Sequence, residues 1–536
     1  MTTGSSGITR ILRPMLRRTV LLVPLLAGAL LAGACTQAPA AADDGTARIA
    51  LGAPTSLDPA ATGDAGSAAF IAQFFETLTV FDETLELRPA LAESWRIEDG
   101  GRRVIFHVRP GLSFSDGSPL TAADVVRSWL RIIDPESPSP LATLMLDVEG
   151  ALDYIRGTGS ADDVGLTVDE AANEVVVDLV RPAAEFVTVV ASPTFGIVPP
   201  GVGEDAAALQ AGESFVVSGG YSLADVSADG MILRANPAYW AGPPAIDEIT
   251  VVTDLAGASA VEAFEEGELD YTGIFEFDAA WIAYHPELGP QLREVRSLST
   301  NFYGFDTSRP PFDDVRVRHA FAAAVDWRRI AFLSVSDPDA VATSMVPTGI
   351  PGRSDRDVVP VHDPDAARAL LAEAGFPGGA GFPETTLLTG GSPYDEAVVS
   401  EVERELGVTL RSEVMDFDTY FDRLDNDPPQ MWQLSWVADY PGRNDFLGVL
   451  LGTGSTNNYG RWSSPEFDAA IADAGATTDE AAATAAYDRA EDIVQRDAPV
   501  IPVTYGDGWA LAREGLLGAD QNGLGALRFA GLAWAP

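Results

Sequence analysis

Lysine is missing: all 34 basic residues in this 536-residue sequence are arginine. Nucleotide-binding loops with a phosphate-contacting lysine, Schiff-base enzymes, protein kinases and Ser-x-x-Lys acyl enzymes are thereby excluded. Cysteine is nearly missing too. Cys35 stands alone, so it cannot serve an intramolecular disulfide or build a thiolate cluster around a metal. The four histidines, His107, His285, His319 and His362, are scattered, and no His-Glu-x-x-His pair or Gly-x-Ser-x-Gly elbow is present. No metal site, no cofactor and no enzymatic activity are expected. Positive charge is scarce: 79 acidic residues against 34 basic ones leave a formal net charge of -45. Such a surface repels phosphate backbones and anionic headgroups, which argues against a nucleic-acid partner.

What is present suits a folded, multi-lobed protein. Hydrophobic residues at 46% and charged residues at 21% are ordinary globular values. The chain is longer than the size at which a single core stops growing. Residues Met1 to Cys35 combine a basic stretch (Arg10, Arg13, Arg17, Arg18), an apolar run from Thr19 to Ala32, and Gly33-Ala34-Cys35. That is a signal-peptide pattern, with an apolar run too short for an ordinary transmembrane helix of about 20 residues. No later segment is apolar enough to span a membrane. Residues 36–45 are small, polar and unpatterned, as in a flexible tether.

Further on, strand and helix signals alternate, the pattern of α/β layers. Thr121 and Asp124 form a capping box before Val125, Trp129 and Ile132 on one helix face. Asp363-Pro364 starts another helix that Gly375 stops, and Ser464-Pro465 repeats the start signal. Asp313 precedes a helix whose inward face includes Val317, Phe321 and Ala324. Val104–Val108 and Val175–Val180 read as strands closed by Pro110-Gly111 and Arg181-Pro182.

Nine segments in order resemble the peptide and nickel class of bacterial extracellular solute-binding proteins, family 5, over about Arg48 to Val503. They are Pro54–Pro59, Phe75–Leu78, Pro89–Trp95, Phe114–Val125, Asn236–Trp240, Pro311–Arg318, Ala369–Gly375, Trp436–Tyr440 and Ala498–Pro502. The Val216–Asp225 and Trp436 segments are most similar to the oligopeptide-binding branch of the importers of the ABC type. The resemblance implies a two-lobed α/β fold of the periplasmic-binding-protein type II with an additional small α/β domain, closing on its ligand by hinge motion. Lobe I would take 46–75, 200–298 and 505–536, the additional domain 76–199, and lobe II 299–504. Cys35, after small residues, resembles a lipobox cysteine, although Ala32 stands where lipoboxes usually carry leucine. Cleavage before Cys35 would leave a diacylated N-terminus, and two acyl chains suffice for stable anchoring on the outer face of the cytoplasmic membrane.

The same resemblance implies site residues. Asp439 would pair with a peptide's α-ammonium group, the strand Ser435 to Val437 (with Trp436) would hydrogen-bond its backbone, and Asp64 and Ala65 would supply a second backbone contact. Phe417 would be an aromatic wall and Tyr440 a neighbour. As turn residues, Asp439-Tyr440-Pro441-Gly442 also admit a purely local role for the aspartate. Trp436 fits core and pocket wall equally. The basic residue that the branch places six positions before the aspartate is Gln433 here, and the aromatic after Ser139-Pro140 is Leu141. Arg443 and Arg411 are candidate substitutes for reaching a ligand carboxylate. Expected partners are a peptide and the permease and ATPase subunits of an importer, with the protein itself monomeric. An oligosaccharide or another small solute such as heme stays open as ligand, nickel is disfavoured by the scattered histidines, and a secreted hydrolase is the remaining alternative.

Overall fold

The computed structural model describes residues 45–536 except 184, 203–209, 213–214, 229, 335–337 and 478. Cys35, the signal segment and most of the tether lie outside the described residues. Among those described, no helix is long and apolar enough to cross a membrane.

The strands of the first half are β1 (Thr46–Ala50), β2 (Thr79–Phe81), β3 (Leu87–Pro89), β4 (Ala92–Glu98), β5 (Arg103–Val108), β6 (Leu166–Asp169), β7 (Glu174–Asp178), β8 (Tyr221–Val226), β9 (Gly230–Ala235), β10 (Glu248–Val252) and β11 (Tyr271–Ile274). Those of the second half are β12 (Leu292–Phe305), β13 (Thr385–Thr389), β14 (Leu410–Val414), β15 (Met431–Val437), β16 (Val500–Ala512), β17 (Leu516–Leu517) and β18 (Ala533–Trp534). Ten of them form one sheet in the order β14-β13-β15-β12-β16-β11-β1-β10-β9-β8.

β12 and β16 are long enough to belong to both halves of that sheet. Leu292–Arg296 pairs with Leu511–Asp507, the register shifts between Arg296 and Thr300, and pairing resumes with Tyr505. Such an irregularity bends a strand and raises its twist. On the near side of the bend, Ile49, Phe70, Phe74, Tyr221 and Tyr271 bury one core. On the far side, Tyr303, Phe321, Trp327, Val398 and Ile501 bury another. Mixed α/β layering is therefore observed, with two cores strung on two shared strands.

A separate four-stranded antiparallel sheet, β4-β5-β7-β6, is covered by the helix Ala122–Ile132. That helix begins where the sequence places it: Thr121 and Asp124 cap each other's backbone, and Val125, Trp129 and Ile132 are buried. The Trp129 ring meets Phe106, Phe186 and Phe195 edge-on at 6.0, 6.1 and 5.5 Å between centroids. Its indole N–H donates to the Phe195 carbonyl at 3.3 Å. Edge-on geometry is favoured by the ring quadrupoles, and the burial of so large a side chain dominates this small core.

The other start signals also hold. Asp363 caps Pro364–Glu373, with Gly375 in the left-handed region at φ 102° just beyond, and the Ser464 hydroxyl accepts from Phe467 N–H at the start of Pro465–Gly475. One expectation shifts by a residue. Asp314, not Asp313, is the cap of Val315–Ala324, because its carboxylate accepts from Arg316 N–H at 2.9 Å. Val317, Phe321 and Ala324 are buried as expected.

Replacing Trp129 with alanine should cost about 3–5 kcal/mol, the usual penalty for deleting a buried aromatic. Urea unfolding followed by the near-ultraviolet signal checks this, and a loss below about 1 kcal/mol would show that the small sheet is not organised around that ring.

Candidate functional site

β15 is an interior strand for only part of its length. On one edge it runs antiparallel to β12 from Met431 to Val437. On the other it meets β13 at Met431 and Trp432 alone. Ala438 N–H donates to the Leu298 carbonyl at 2.8 Å, so the 298/438 pair is hydrogen-bonded in that antiparallel ladder. Hydrogen-bonded and non-bonded pairs alternate, so the peptide groups of Ser435 and Val437 turn to the opposite edge. That edge is open from Ser435 onward, and the carbonyl of Gln433, next in line, is taken by the Tyr420 hydroxyl.

The open edge borders a cavity of about 410 Å³. Leu434, Ser435, Trp436, Val437, Ala438 and Asp439 line one side, and Thr62 to Gly66 with Ala68, Ala69 and Ala72 line the other. Leu141, Ala191, Pro193 and Phe421 add apolar wall, and Asn522, Leu524, Ala526 and Arg528 complete it.

Asp439 sits two residues past the carboxyl end of β15. It is half-buried, but its Oδ2 is sealed from solvent and has no hydrogen-bond partner among the described residues. Burial pushes its carboxyl up to about 7. Beneath it lies Asp445, fully buried, whose Oδ2 accepts from the Trp436 indole N–H at 2.9 Å and from Asp439 N–H at 3.2 Å. Burial, with the neighbouring Asp439, holds Asp445 well above the carboxylate range, and its Oδ1 is likewise buried without a partner. Two carboxyls are thus packed together with no cation between them among the described residues, a costly arrangement unless a cation arrives or a proton stays. No local turn bond consumes the Asp439 side chain.

The opposite rim behaves differently. Asp64 caps the helix Ala65–Phe74: its Oδ1 accepts from Ser67 N–H at 2.8 Å, and its Oδ2 accepts from the hydroxyls of Thr55 and Thr62 at 2.8 and 3.2 Å. Its carbonyl accepts from Ala68 N–H. Asp64 is spent on its own loop, whereas the first-turn N–H groups of Ala65 and Gly66 have no acceptor within the helix.

Of the sequence-derived set, Asp439, Trp436, Ser435, Val437, Asp64 and Ala65 are brought together around one cavity. Trp436 is both buried and wall, because Asp445 anchors its indole. Tyr440 is a correction: it is fully buried, points away, and lines a second cavity of about 380 Å³ with Asp147, Arg181 and Glu185. Successive residues leaving a strand turn to opposite faces, and the turn carries Tyr440 behind Asp439. The Phe417 side chain lies outside the described residues; the aromatic of that helix found at the cavity is Phe421, one turn on. Leu141 does reach the cavity.

Both arginines proposed to reach a ligand carboxylate are elsewhere. Arg443 donates to Gly352, Thr484 and Glu480 and stacks on Tyr487, and Arg411 is an exposed partner of Glu384. Asp445 and Arg528 escaped the sequence reading. In a chain with 79 acidic residues a single aspartate carries no signal, and nothing near Arg528 in sequence marks it as part of a cavity. No group of three His, Cys, Asp or Glu side chains is arranged to hold a metal among the described residues.

A carboxyl raised in the folded state stabilises below its unfolded pKa and loses that contribution as pH rises through its folded one. Stability of the ligand-free protein should therefore fall between about pH 4 and pH 7, with Asp439 titrating near 7. Carbon-13 NMR of the carboxyl, with Asp439→Asn as the assignment control and as a flatter pH–stability profile, tests this. A titration near 4 would mean that the side chain is solvated.

Residues 86–458 match the family model for bacterial extracellular solute-binding proteins, family 5. The probable deoxycholate-binding periplasmic protein YgiS of Escherichia coli is 30% identical over 470 residues, 84% of this chain and 86% of its own. The periplasmic oligopeptide-binding protein OppA of Salmonella typhimurium is 28% identical, covering 84% and 85%. The solved murein tripeptide binding protein MppA of E. coli superposes with a TM-score of 0.84 at 25% identity, over 92% of this chain and 99% of that one. Its unliganded open form gives 0.65. With the family model spanning well over half its length, this chain belongs to the bacterial extracellular solute-binding proteins of family 5.

Proposed function

We propose that this protein captures short peptides by their ammonium end and delivers them to the permease and ATPase subunits of an ABC importer, as a lipoprotein held at the membrane through Cys35. The observation that carries the reading is the buried, unpartnered Oδ2 of Asp439 beside an open strand edge. Every peptide offers a terminal ammonium and a row of amides, and the cavity offers one counter-charge and the outward peptide groups of Ser435 and Val437. A ligand chain added along that edge obtains main-chain hydrogen bonds regardless of its side chains. Ala65, whose N–H has no acceptor within its helix, lines the same space from across the cavity.

Lobes meeting at 298/299 and 504/505, with 76–199 as the additional domain, are part of this reading. They place Asp439 and the helix Ala65–Phe74 on different lobes, so that a ligand between them favours closure. The closer match to one MppA structure than to its unliganded open form supports a closed arrangement here. The names of MppA and OppA support a peptide ligand. Deoxycholate, after which YgiS is named, has no ammonium group to answer Asp439.

Calorimetric titration with tripeptides should show binding that N-acetylation abolishes, and Asp439→Asn should weaken it by at least tenfold, since a charge-assisted hydrogen bond contributes about 1.5–3 kcal/mol. Equal affinity for acetylated peptides, or binding of deoxycholate in their place, would overturn the ligand assignment. Affinity should also fall below about pH 7, where Asp439 holds its proton in the empty cavity. Separately, Cys35→Ser should move the protein from the membrane to the soluble fraction; retention at the membrane would remove the lipid anchor.

A further inference from the structure

The charges around the cavity form a short census. Among the described residues its lining includes Asp64, Asp439 and Arg528 and no other ionisable acid or base. Asp64 is consumed by its own loop, as described above, which leaves one acid and one base facing the ligand space.

Arg528 is held in place from behind. Its Nη2 donates to both carboxylate oxygens of Glu76 at 2.8 Å and lies 3.3 Å from the Tyr239 hydroxyl. Glu76 is 1% exposed and also accepts from the Tyr239 hydroxyl and from the Trp240 indole N–H, the latter at 3.2 Å. Burial works to raise the Glu76 carboxyl, but Arg528 and these donors bring it below the usual range, so the pair is ionised. The Nε and Nη1 groups of Arg528 make no hydrogen bond within the described residues. They are not sealed off, since the side chain keeps 30% of its exposure while lining the cavity. A guanidinium clamped through one nitrogen presents its remaining donors in a fixed plane, which suits a carboxylate and lowers the entropy lost on binding.

We infer that Arg528 is the second end-anchor of this cavity: it receives the carboxylate of a short zwitterionic peptide whose ammonium group rests on Asp439. The inference rests on the peptide reading above and extends it to the other end of the ligand. The rest of the wall is largely apolar, with Ala69, Val80, Phe81, Leu434, Trp436 and Leu524. A charged ligand side chain there meets no counter-charge among the described residues, so apolar peptides are preferred. A volume of about 410 Å³ lies near the lower end of small-molecule sites, about 300–1,000 Å³, which favours short ligands.

The full-length protein is titrated with tri-alanine and tri-leucine as free acids, C-terminal amides and N-acetyl derivatives. Amidation should weaken binding about tenfold. In Arg528→Lys, which keeps a positive charge for Glu76, the difference between acid and amide should shrink to under about threefold. A double variant, Glu76→Gln with Arg528→Met, removes both charges together and should abolish the difference even if the single variant folds poorly. If acid and amide bind the parent equally while N-acetylation still blocks binding, the Arg528 anchor falls and the Asp439 reading stands. An amidation penalty undiminished in both variants assigns the carboxylate to another group and overturns the proposal. Should no form of either peptide bind, both readings fall together.

Discussion

A carboxylate with nothing to pair with is the constraint around which this protein is organised. Asp439 and Asp445 are packed one above the other, each with a sealed oxygen lacking a partner, and burial raises both. A fold that existed for stability alone would gain by replacing them with apolar groups of similar shape. On the proposed reading, a ligand ammonium group would relieve that cost, and the free energy it offsets would appear as affinity. Asp445 supports this by fixing the Trp436 indole and the Asp439 N–H, which hold the free carboxylate at the end of β15.

The strand geometry serves the same end. Pairing with β13 stops at Trp432, and β15 continues with its outward peptide groups uncovered. An uncovered strand edge is ordinarily a liability for aggregation. Here it lines a cavity. On the other side of the cavity, the helix Ala65–Phe74 approaches with alanine and glycine at its first turns, and their small side chains leave the cavity its volume.

Charge across the cavity is asymmetric. Asp439 is unpaired, whereas Arg528 is half-engaged with Glu76, and a pre-neutralised guanidinium avoids a bare buried cation in the empty state. The two strands β12 and β16, bent at a register shift, connect the two cores.

The local elements were legible in the sequence because their causes are local. The Thr121–Asp124 box, the Asp363-Pro364 and Ser464-Pro465 starts and the glycine stop at 375 act over three or four residues, and each appears where expected. Asp313 and Asp314 are adjacent carboxylates with equal capping ability, and only the packing of the following helix chose between them. Family resemblance in the Trp436 segment pointed to Asp439 and to the strand before it, because those residues form one continuous run. Tyr440, in the same run, faces the other way, a direction fixed by backbone geometry after the strand ends. Arg528 lies 89 residues beyond Asp439, and Glu76 452 residues before Arg528, so no periodicity or motif links them. Sequence alone determined the layered class and the local helix starts; the tertiary structure decided which carboxylate is left unpaired and which arginine lines the same cavity, because desolvation and charge pairing depend on what long-range folding brings together.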